Sequence, residues 1–315
     1  MRNPSLTDIV GQEEVMTQLR LVLRGAQLRK VPIPHILLGG PAGHGKSTIA
    51  RAIAHEWGAN LVSVLGGNFR RCEELVATLC ALTTRSLLLI DEIHRLTPPV
   101  MEVLYGAMED GVVTRILGTG VEARASVTRL PTFVVVGATT NPGMLTRSLR
   151  DRFGFHATLN PYPVEDIAEI VQRSWLRRFC RFDQQEPMEV ARRSKLVPRR
   201  ALHLADRVLD WCAVHHQGVV ARGTVHQALL SFGIDENGLT STDWRILETL
   251  CLQFGGRCVG LNTLAAAVDL EAQTLRDEQE PPLVRAGLIV CTRAGRLALP
   301  RAHQLLIERG QHVRD

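Results

Sequence analysis

Residues 40–47 read GPAGHGKS, and this stretch decides how the first half of the chain folds. It fits the pattern G-x-x-x-x-G-K-[ST], in which glycines let backbone N–H groups turn inward around phosphate groups. The helix that should follow adds the partial positive charge of its N-terminus. Because the chain has only three lysines, on the order of 0.002 accidental matches are expected. The stretch therefore predicts an ATP site, with Lys46 on the β- and γ-phosphates and Ser47 on Mg²⁺.

Short apolar runs and helical periodicity alternate around this loop. Strands are expected at residues 35–38, 60–65, 86–91 and 132–139, and helices at residues 46–58, 71–83 and 100–108. The run at residues 86–91 is apolar until it ends in acids, as buried parallel strands often do. This alternation predicts an α/β domain, in which a parallel sheet carries helices on both faces.

The bulk composition describes a folded protein of more than one domain. At 315 residues, 45% of them hydrophobic, two or three domains are expected. Neither a bilayer-spanning apolar run nor a signal peptide is found, so a cytoplasmic protein without membrane association is predicted. The seven cysteines lack C-x-x-C spacing and are interpreted as reduced thiols. A net charge of +5 permits contact with nucleic acid but does not establish it.

Three domains are predicted along the chain. Residues 1–161 contain the parallel sheet and a projecting β-hairpin at residues 111–130, where two extended stretches flank a Gly-Thr-Gly turn. Residues 162–233 have helical periodicity throughout and are interpreted as an all-α lid. A linker is expected at residues 233–238. Residues 234–315 then read as three short helices and a two-stranded hairpin, the elements of a winged helix-turn-helix.

An acidic pair follows the apolar strand at residues 86–91. Asp91 is expected in the Mg²⁺ shell, and Glu92 is expected to polarise the attacking water. The pair is a weak signal alone, because many strands end in acids, but a strong one downstream of a phosphate-binding loop. Since a protein that only binds ATP does not need Glu92, the pair predicts hydrolysis.

Two further groups of residues extend the predicted site. Thr139 and Thr140 end the neighbouring strand, where either could sense the loss of the γ-phosphate. Arg150 and Arg152 form either a solvated charge cluster or an arginine finger offered to the ATP of a neighbouring subunit. The finger interpretation predicts a ring or a filament, because such a side chain cannot reach its own nucleotide.

The lid supplies a last group of possible ATP contacts. Pro198 and Arg199 open a helix, from which a basic side chain could fold back onto the γ-phosphate of its own chain. Tyr162, just past the sheet domain, could stack on adenine. Taken alone, each of these residues is more often plain surface.

Together these stretches resemble an AAA+ ATPase and, more closely, the RuvB family of Holliday junction branch-migration motors, over nearly the whole chain. The phosphate loop and the acidic pair alone indicate only a P-loop ATPase. Other segments narrow the resemblance to the RuvB family: IVGQEE (9–14), DEIHRL (91–96), LYGAMED (104–110), GATT (137–140), LRDRFG (149–154) and, in the winged tail, FGG (254–256), VGL (259–261), EP (280–281) and GR (295–296).

The resemblance implies a hexameric ring around double-stranded DNA, acting on four-way junctions with a RuvA-like partner bound through residues 111–130. It implies that Lys46, Asp91, Glu92 and Arg152 are catalytic, with Arg150 the second choice for the finger. Contacts with ATP are implied for Ile9, Val10, Gly40, Gly43, His44, Gly45, Lys46, Ser47, Thr48, Thr139, Thr140, Tyr162, Pro198 and Arg199. Contacts with Mg²⁺ are implied for Ser47 and Asp91, and contacts with DNA phosphates for Arg293 and Arg296.

The chain departs from the family pattern at three places. His44 replaces an apolar residue of the loop, Asn141 replaces an arginine, and Cys291 replaces a basic residue of the wing. None of these removes a catalytic group, although they bear on the choice of partner and on DNA contact. They leave open a divergent paralogue that uses another partner. A second hypothesis is an AAA+ loader or switch that recruits a partner to DNA without sustained translocation. A P-loop kinase is disfavoured because a winged helix would have no role in it.

Overall fold

The structure is a computed structural model and describes residues 4–117 and 124–310. The chain forms two compact units, Met1–Tyr162 and Pro163–Asp315. No helix in the described part of the chain is both long enough and apolar enough to cross a membrane. Nor do the described residues include a group of three or more His, Cys, Asp or Glu side chains that could hold a metal ion.

The first unit is built on a parallel sheet with the strand order β2-β3-β6-β1-β7. Its strands are β1 (Ile36–Gly39), β2 (Asn60–Leu65), β3 (Ser86–Asp91), β4 (Val112–Leu117), β5 (Arg124–Arg129), β6 (Phe133–Thr139) and β7 (Phe155–Thr158). Its helices are α1 (Glu13–Arg29), α2 (Lys46–Trp57), α3 (Cys72–Cys80), α4 (Pro98–Asp110) and α5 (Arg147–Arg150). The register pairs Gly39 with Thr139 and with Thr158, so the carboxyl ends of these strands lie at one edge.

The sheet is covered on both faces, as the continuous apolar runs predict. In β3, Leu87 and Leu89 join the core that contains α1 and α2, whereas Leu88 and Ile90 join the core that contains α3 and α4. Successive side chains of a strand point to opposite faces, so a strand that is buried on both faces has no polar alternation. The predicted α/β fold class is confirmed, with α1 and β7 as elements that the sequence analysis did not predict.

The hairpin projects from the chain between α4 and β6. Strands β4 and β5 pair antiparallel, with Val112 opposite Arg129. Gly111 ends α4 with φ +65, a left-handed conformation that glycine adopts without strain. The Gly-Thr-Gly turn predicted at residues 118–120 lies outside the described residues.

The second unit begins with the lid. Its helices are α6 (Val164–Arg177), α7 (Glu186–Arg193), α8 (Pro198–His215) and α9 (Thr224–Ser231). The all-α expectation needs one correction, because β8 (Arg181–Phe182) pairs in parallel with β9 (Val219–Val220). Two-residue strands are too short to show a period in the sequence. Phe182 of this pair packs on the buried Trp175, with the ring centres 5.4 Å apart.

The same unit continues into a winged helix-turn-helix. Its helices are α10 (Ser241–Glu248), α11 (Leu261–Ala267), α12 (Ala272–Thr274), α13 (Glu280–Arg285) and α14 (Pro300–Glu308), with π-helical segments at Thr249–Gln253 and Leu275–Gln279. The wing is the antiparallel pair β10 (Ile289–Cys291) and β11 (Arg296–Ala298). Gly295, at φ +146, is needed at its turn because a Cβ there would lie 2.3 Å from the carbonyl oxygen of Val259.

Candidate nucleotide site

The phosphate-binding loop connects β1 to α2 at the carboxyl edge of the sheet. Gly40, Gly43 and Gly45 all have positive φ, at +136, +78 and +94. At Gly40 a Cβ would lie 2.9 Å from the carbonyl oxygen of Leu159, so only glycine fits beside β7. The loop therefore takes the curved path that turns backbone N–H groups toward an anion, and α2 begins directly after it.

Lys46 is the first residue of α2 and is only 6% exposed. Its Nζ donates hydrogen bonds to the carbonyl oxygens of Gly40 at 2.7 Å and of Pro41 at 3.0 Å. Because both acceptors are uncharged, a phosphate oxygen would be a stronger partner for the ammonium group. The lysine is thus held beside the loop by contacts that an anionic ligand can replace.

The two predicted metal ligands lie next to each other. The Ser47 hydroxyl donates to Asp91 Oδ2 at 2.9 Å, which joins the start of α2 to the end of β3. The backbone N–H of Glu92 donates to the other carboxylate oxygen, Oδ1. A hydroxyl and a carboxylate side by side are the hard oxygen donors that Mg²⁺ prefers, so these residues fit that ion.

Glu92 is tied to the strand beside it. Its Oε2 accepts a hydrogen bond from the Thr140 hydroxyl at 3.0 Å and lies 3.1 Å from His94 Nδ1. The same His94 nitrogen lies 2.9 Å from the Thr139 hydroxyl. Of the two threonines, Thr140 therefore contacts the predicted catalytic carboxylate, whereas Thr139 orients His94. Sequence reasoning did not select His94 as a site residue, although it lies only two positions after Glu92.

His44 and Tyr162 pack together behind the loop. His44 is fully buried, with Nδ1 3.0 Å from the carbonyl oxygen of Ala42. Its ring lies 6.0 Å from the ring of Tyr162, whose hydroxyl is 3.5 Å from the His44 carbonyl oxygen. The unusual histidine therefore supports the loop from its buried side. Stacking of Tyr162 on adenine remains a prediction.

The N-terminal segment is fastened beside the loop. Val10 is buried, and Ile9 packs against the core that contains α1 and α2. The Gln12 side chain donates to the carbonyl oxygen of Asn160 at 2.8 Å and accepts from the Asn160 N–H at 3.0 Å. This reciprocal pair holds the segment that carries Ile9 and Val10 next to the end of β7. Sequence reasoning missed Gln12, because its partner lies far along the chain.

Arg152 is bound by its own chain. Its Nη2 lies 2.5 Å from the Tyr105 hydroxyl and 2.8 Å from Glu109 Oε2, and the guanidinium carbon lies 4.6 Å from the centre of the Tyr105 ring. The contact with Tyr105, followed by the nearby acids, raises the pKa of Arg152. Arg150 differs, because its Nε is buried without a hydrogen-bond partner.

The predicted residues of the second unit lie at the start of α8 and in the wing. Pro198 is the buried first residue of α8, and Arg199 follows it as an exposed side chain. Arg293 is exposed in the turn of the wing. Arg296 is instead bound within the wing, donating to both carboxylate oxygens of Glu280 at 2.6 and 3.0 Å.

A parallel sheet with a phosphate loop, a strand-end Asp-Glu pair joined to a polar strand end, and a helical lid define an AAA+ ATPase. Three family models match the chain in order: the Holliday junction DNA helicase RuvB P-loop domain at residues 1–159, the RuvB AAA lid domain at 162–235 and the RuvB C-terminal winged helix domain at 236–307. The chain therefore belongs to the RuvB family, as the sequence resemblance predicted.

Curated relatives and solved structures agree with this assignment. The Holliday junction branch migration complex subunit RuvB of Corynebacterium glutamicum is 43% identical over 302 residues, which cover 96% of this chain and 83% of that protein. The subunit of the same name from Parafrankia is also 43% identical and is covered to 86%. The Thermotoga maritima RuvB Holliday junction branch migration motor superposes with a TM-score of 0.86 at 34% identity, covering 99% of each chain.

Proposed function

We propose that this chain is the ATP-driven motor of Holliday junction branch migration and moves double-stranded DNA during recombination and repair. The observation that carries the proposal is the ordered match of all three RuvB domains over most of the chain. The contacts of Lys46, Asp91 and Glu92 support the ATPase half of this function, and the winged helix supports the DNA half.

In the proposed site Lys46 leaves the loop carbonyls for the β- and γ-phosphates. Ser47 and Asp91 would hold Mg²⁺, and the bound ion would supply positive charge to the phosphate oxygens. Glu92 accepts the proton of the attacking water and Thr140 fixes the position of its carboxylate. Loss of the γ-phosphate would then be felt at Thr140 through the shared carboxylate, which is the sensing role predicted for this strand end.

Arg152 is proposed to act on the ATP of a neighbouring subunit. In the structure it is bound to Tyr105 and Glu109, and its side chain and that of Glu109 are about one-third exposed. Partly exposed ion pairs contribute little, so such contacts are readily exchanged for a phosphate. A closed ring, proposed here to be a hexamer, would place the finger of each subunit at the next nucleotide. Arg150 remains the second choice.

The remaining contacts follow from the same proposal. Arg199, exposed at the N-terminus of α8, would reach the γ-phosphate of its own chain. Arg293 is the better-placed DNA contact of the wing, since Arg296 is engaged by Glu280. Val127 is exposed on β5, in the hairpin at residues 111–130 that we propose as the surface for a RuvA-like protein. The protein is proposed to work in the cytoplasm.

An AAA+ loader remains the second candidate function. The observation that favours it is the bidentate contact of Arg296 with Glu280, because it engages one of the two arginines predicted to bind DNA phosphates. A loader would recruit a partner to DNA and would use ATP to change state rather than to translocate.

A labelled four-way junction separates the two functions. For a motor we expect ATP-dependent conversion of the junction into duplex products, assayed with and without a RuvA-type partner on native gels. ATPase stimulated by the junction without strand movement would instead identify a loader. Conversion that needs no ATP would contradict both.

A further inference from the structure

The segment between the lid and the winged helix is fixed to both of them. Gly238 has φ +73 and packs so closely on the end of α7 that a Cβ would lie 2.5 Å from the Arg193 carbonyl oxygen. On the other side Asp235 accepts hydrogen bonds from Trp244 Nε1 at 2.7 Å and from the Leu239 N–H at 2.8 Å. The linker expected at residues 233–238 is therefore a fixed connection.

A buried ion pair crosses this connection. Lys195, in the loop after α7, places its Nζ 2.5 Å from Asp243 Oδ2 at the start of α10. The two side chains are only 4% and 0% exposed. Asp243 also accepts from the Thr240 hydroxyl and N–H, which caps α10. One carboxylate thus fixes both the start of a winged-helix element and a lysine of the lid.

A third contact arises from α8. Arg200 Nη2 donates to the Gly238 carbonyl oxygen at 3.0 Å. Burial lowers the pKa of Arg200, and the negative charge of Asp243 opposes that shift. Arg200 immediately follows Arg199. The first turn of α8 therefore carries both the residue proposed to contact the γ-phosphate and a residue bound to the winged-helix connection.

We propose that Lys195, Arg200, Gly238 and Asp243 form a rigid joint, called the lid–wing joint, that transmits movement of α8 to the winged helix. Arg200, Lys195 and Asp243 are positioning residues: they do not touch ATP, but they make the winged helix follow the lid. Buried ion pairs of this kind add little stability relative to apolar replacements, and their best-attested role is to fix one geometry. The inference rests on the proposed motor function.

Backbone strain in the lid is consistent with a fixed geometry. Lys195 and Leu196 both have positive φ, at +55 and +56, in the loop that joins α7 to α8. Two consecutive non-glycine residues in this region are uncommon, and they persist only where the surrounding contacts hold them. The strained loop directs the Lys195 side chain to Asp243, and the ion pair in turn holds the loop.

The test removes the charges of the joint and keeps its shape. In Lys195→Met/Asp243→Asn, methionine fills the space of the lysine stem, and the asparagine oxygen can still cap α10. We measure ATP hydrolysed per four-way junction converted, using the whole 315-residue chain. We expect ATP hydrolysis within 3-fold of wild type, junction conversion reduced at least 10-fold, and faster deuterium exchange at the amides of residues 235–239. An unchanged ratio of hydrolysis to conversion would overturn the proposal.

A matched pair controls for the substitutions themselves. Arg207 and Asp210 form an exposed ion pair on α8, so Arg207→Met/Asp210→Asn makes the same type of change outside the joint. It should leave the ratio within 2-fold of wild type. If the joint variant unfolds, Arg200→Gln, which loses the contact with Gly238, carries the test with the same outcomes.

One further variant separates this proposal from the function on which it rests. Arg199→Ala should slow ATP hydrolysis itself, whereas the joint variants should not. If Arg199→Ala leaves hydrolysis unchanged, the proposed γ-phosphate contact fails while the ratio measured for the joint stays informative. If wild type converts no junctions although it hydrolyses ATP, the motor function fails instead.

Discussion

Two of the three lysines in this chain are buried, and they are held in different ways. Lys46 donates to two uncharged carbonyl oxygens of the phosphate loop, whereas Lys195 is paired with the carboxylate of Asp243. A carbonyl is a weaker partner for an ammonium group than a phosphate, so Lys46 can exchange its contacts for a ligand. A buried carboxylate cannot be released without leaving an unpaired charge. We therefore expect Lys46 to bind a ligand and Lys195 to fix the geometry of the residues around it.

The largest expected effect tests the exchangeable lysine. Lys46→Ala removes the positive charge from the phosphate site and should abolish measurable ATP turnover. The measurement is phosphate release at saturating ATP. Lys30→Ala, a change at the exposed lysine that ends α1, is the matched control and should turn over normally. Near-normal hydrolysis by Lys46→Ala would remove the proposed ATPase site.

The second prediction concerns Arg152, whose contacts with Tyr105 and Glu109 are also proposed to be replaced by a phosphate. Arg152→Ala should reduce turnover by roughly 1000-fold, the range of arginine fingers, and leave nucleotide binding intact. Mixing it with Lys46→Ala subunits should restore part of the activity, because each variant then supplies the group that the other lacks. Phosphate release is measured across mixing ratios. Activity that stays absent at every ratio would argue against a finger acting between subunits.

The third prediction concerns Lys195, the lysine that is paired with Asp243. Lys195→Met leaves Asp243 buried without its partner and should cost about 3–5 kcal/mol of unfolding free energy. Urea unfolding followed by circular dichroism measures the loss, and Lys195→Met/Asp243→Asn should recover most of it. Lys46→Met removes hydrogen bonds to two uncharged carbonyl oxygens and should cost less unfolding free energy than Lys195→Met. Equal losses of stability for the two variants would show that the two lysines are held in the same way.

A smaller effect is expected at the strand end beside Glu92. Thr140→Val removes the hydrogen bond to Glu92 Oε2 and should lower kcat about 10-fold, which corresponds to roughly 1.4 kcal/mol. Because the hydroxyl contacts the proposed catalytic carboxylate and is not proposed to contact the nucleotide, KM should change less than 2-fold. Steady-state kinetics gives both values. A rise in KM at constant kcat would show that Thr140 binds ATP directly.

The smallest effect is expected at His35, a buried histidine whose ring accepts a hydrogen bond from the backbone. His35 Nδ1 accepts from the Val135 N–H at 2.9 Å, and burial lowers the pKa of His35 below its usual 6.5. The unfolded chain therefore binds a proton first as the pH falls, so stability present above about pH 6.5 is lost below it, by at most about 1.4 kcal/mol per pH unit. Urea unfolding between pH 5 and 7 should show this slope, which His35→Gln should reduce. If the unfolding free energies of wild type and His35→Gln changed with pH by the same amount, the prediction would be wrong.

The sequence predicted the parts of the fold that depend on local pattern. Strand β3 is bounded where expected, since its apolar run ends in Asp91 and is preceded by Arg85 in a left-handed conformation. Strand β7 was missed because it has only four residues and its side chains are partly exposed. The parallel pair β8–β9 was missed for the same reason of length.

The sequence suggested candidate residues for the site but not the contacts between their side chains. Both Thr140–Glu92 and Lys195–Asp243 join side chains that are 48 positions apart. Periodicity predicts which face of a helix or strand is buried. It does not predict which polar side chain on another element will form a hydrogen bond or ion pair with a residue of that face. For the same reason the family resemblance implied a DNA contact for Arg296, whereas its bond to Glu280 depends on how the wing packs on α13.

The in-chain contacts of Arg152 have a consequence for dilute protein. A lone subunit keeps its guanidinium on Tyr105 and Glu109, and in the proposed ring only a neighbour carries the phosphate that can draw it away. Subunits that have not assembled would then hydrolyse almost no ATP, even when ATP is bound. Specific activity would rise with protein concentration, and the cell would limit its ATP consumption to rings already built.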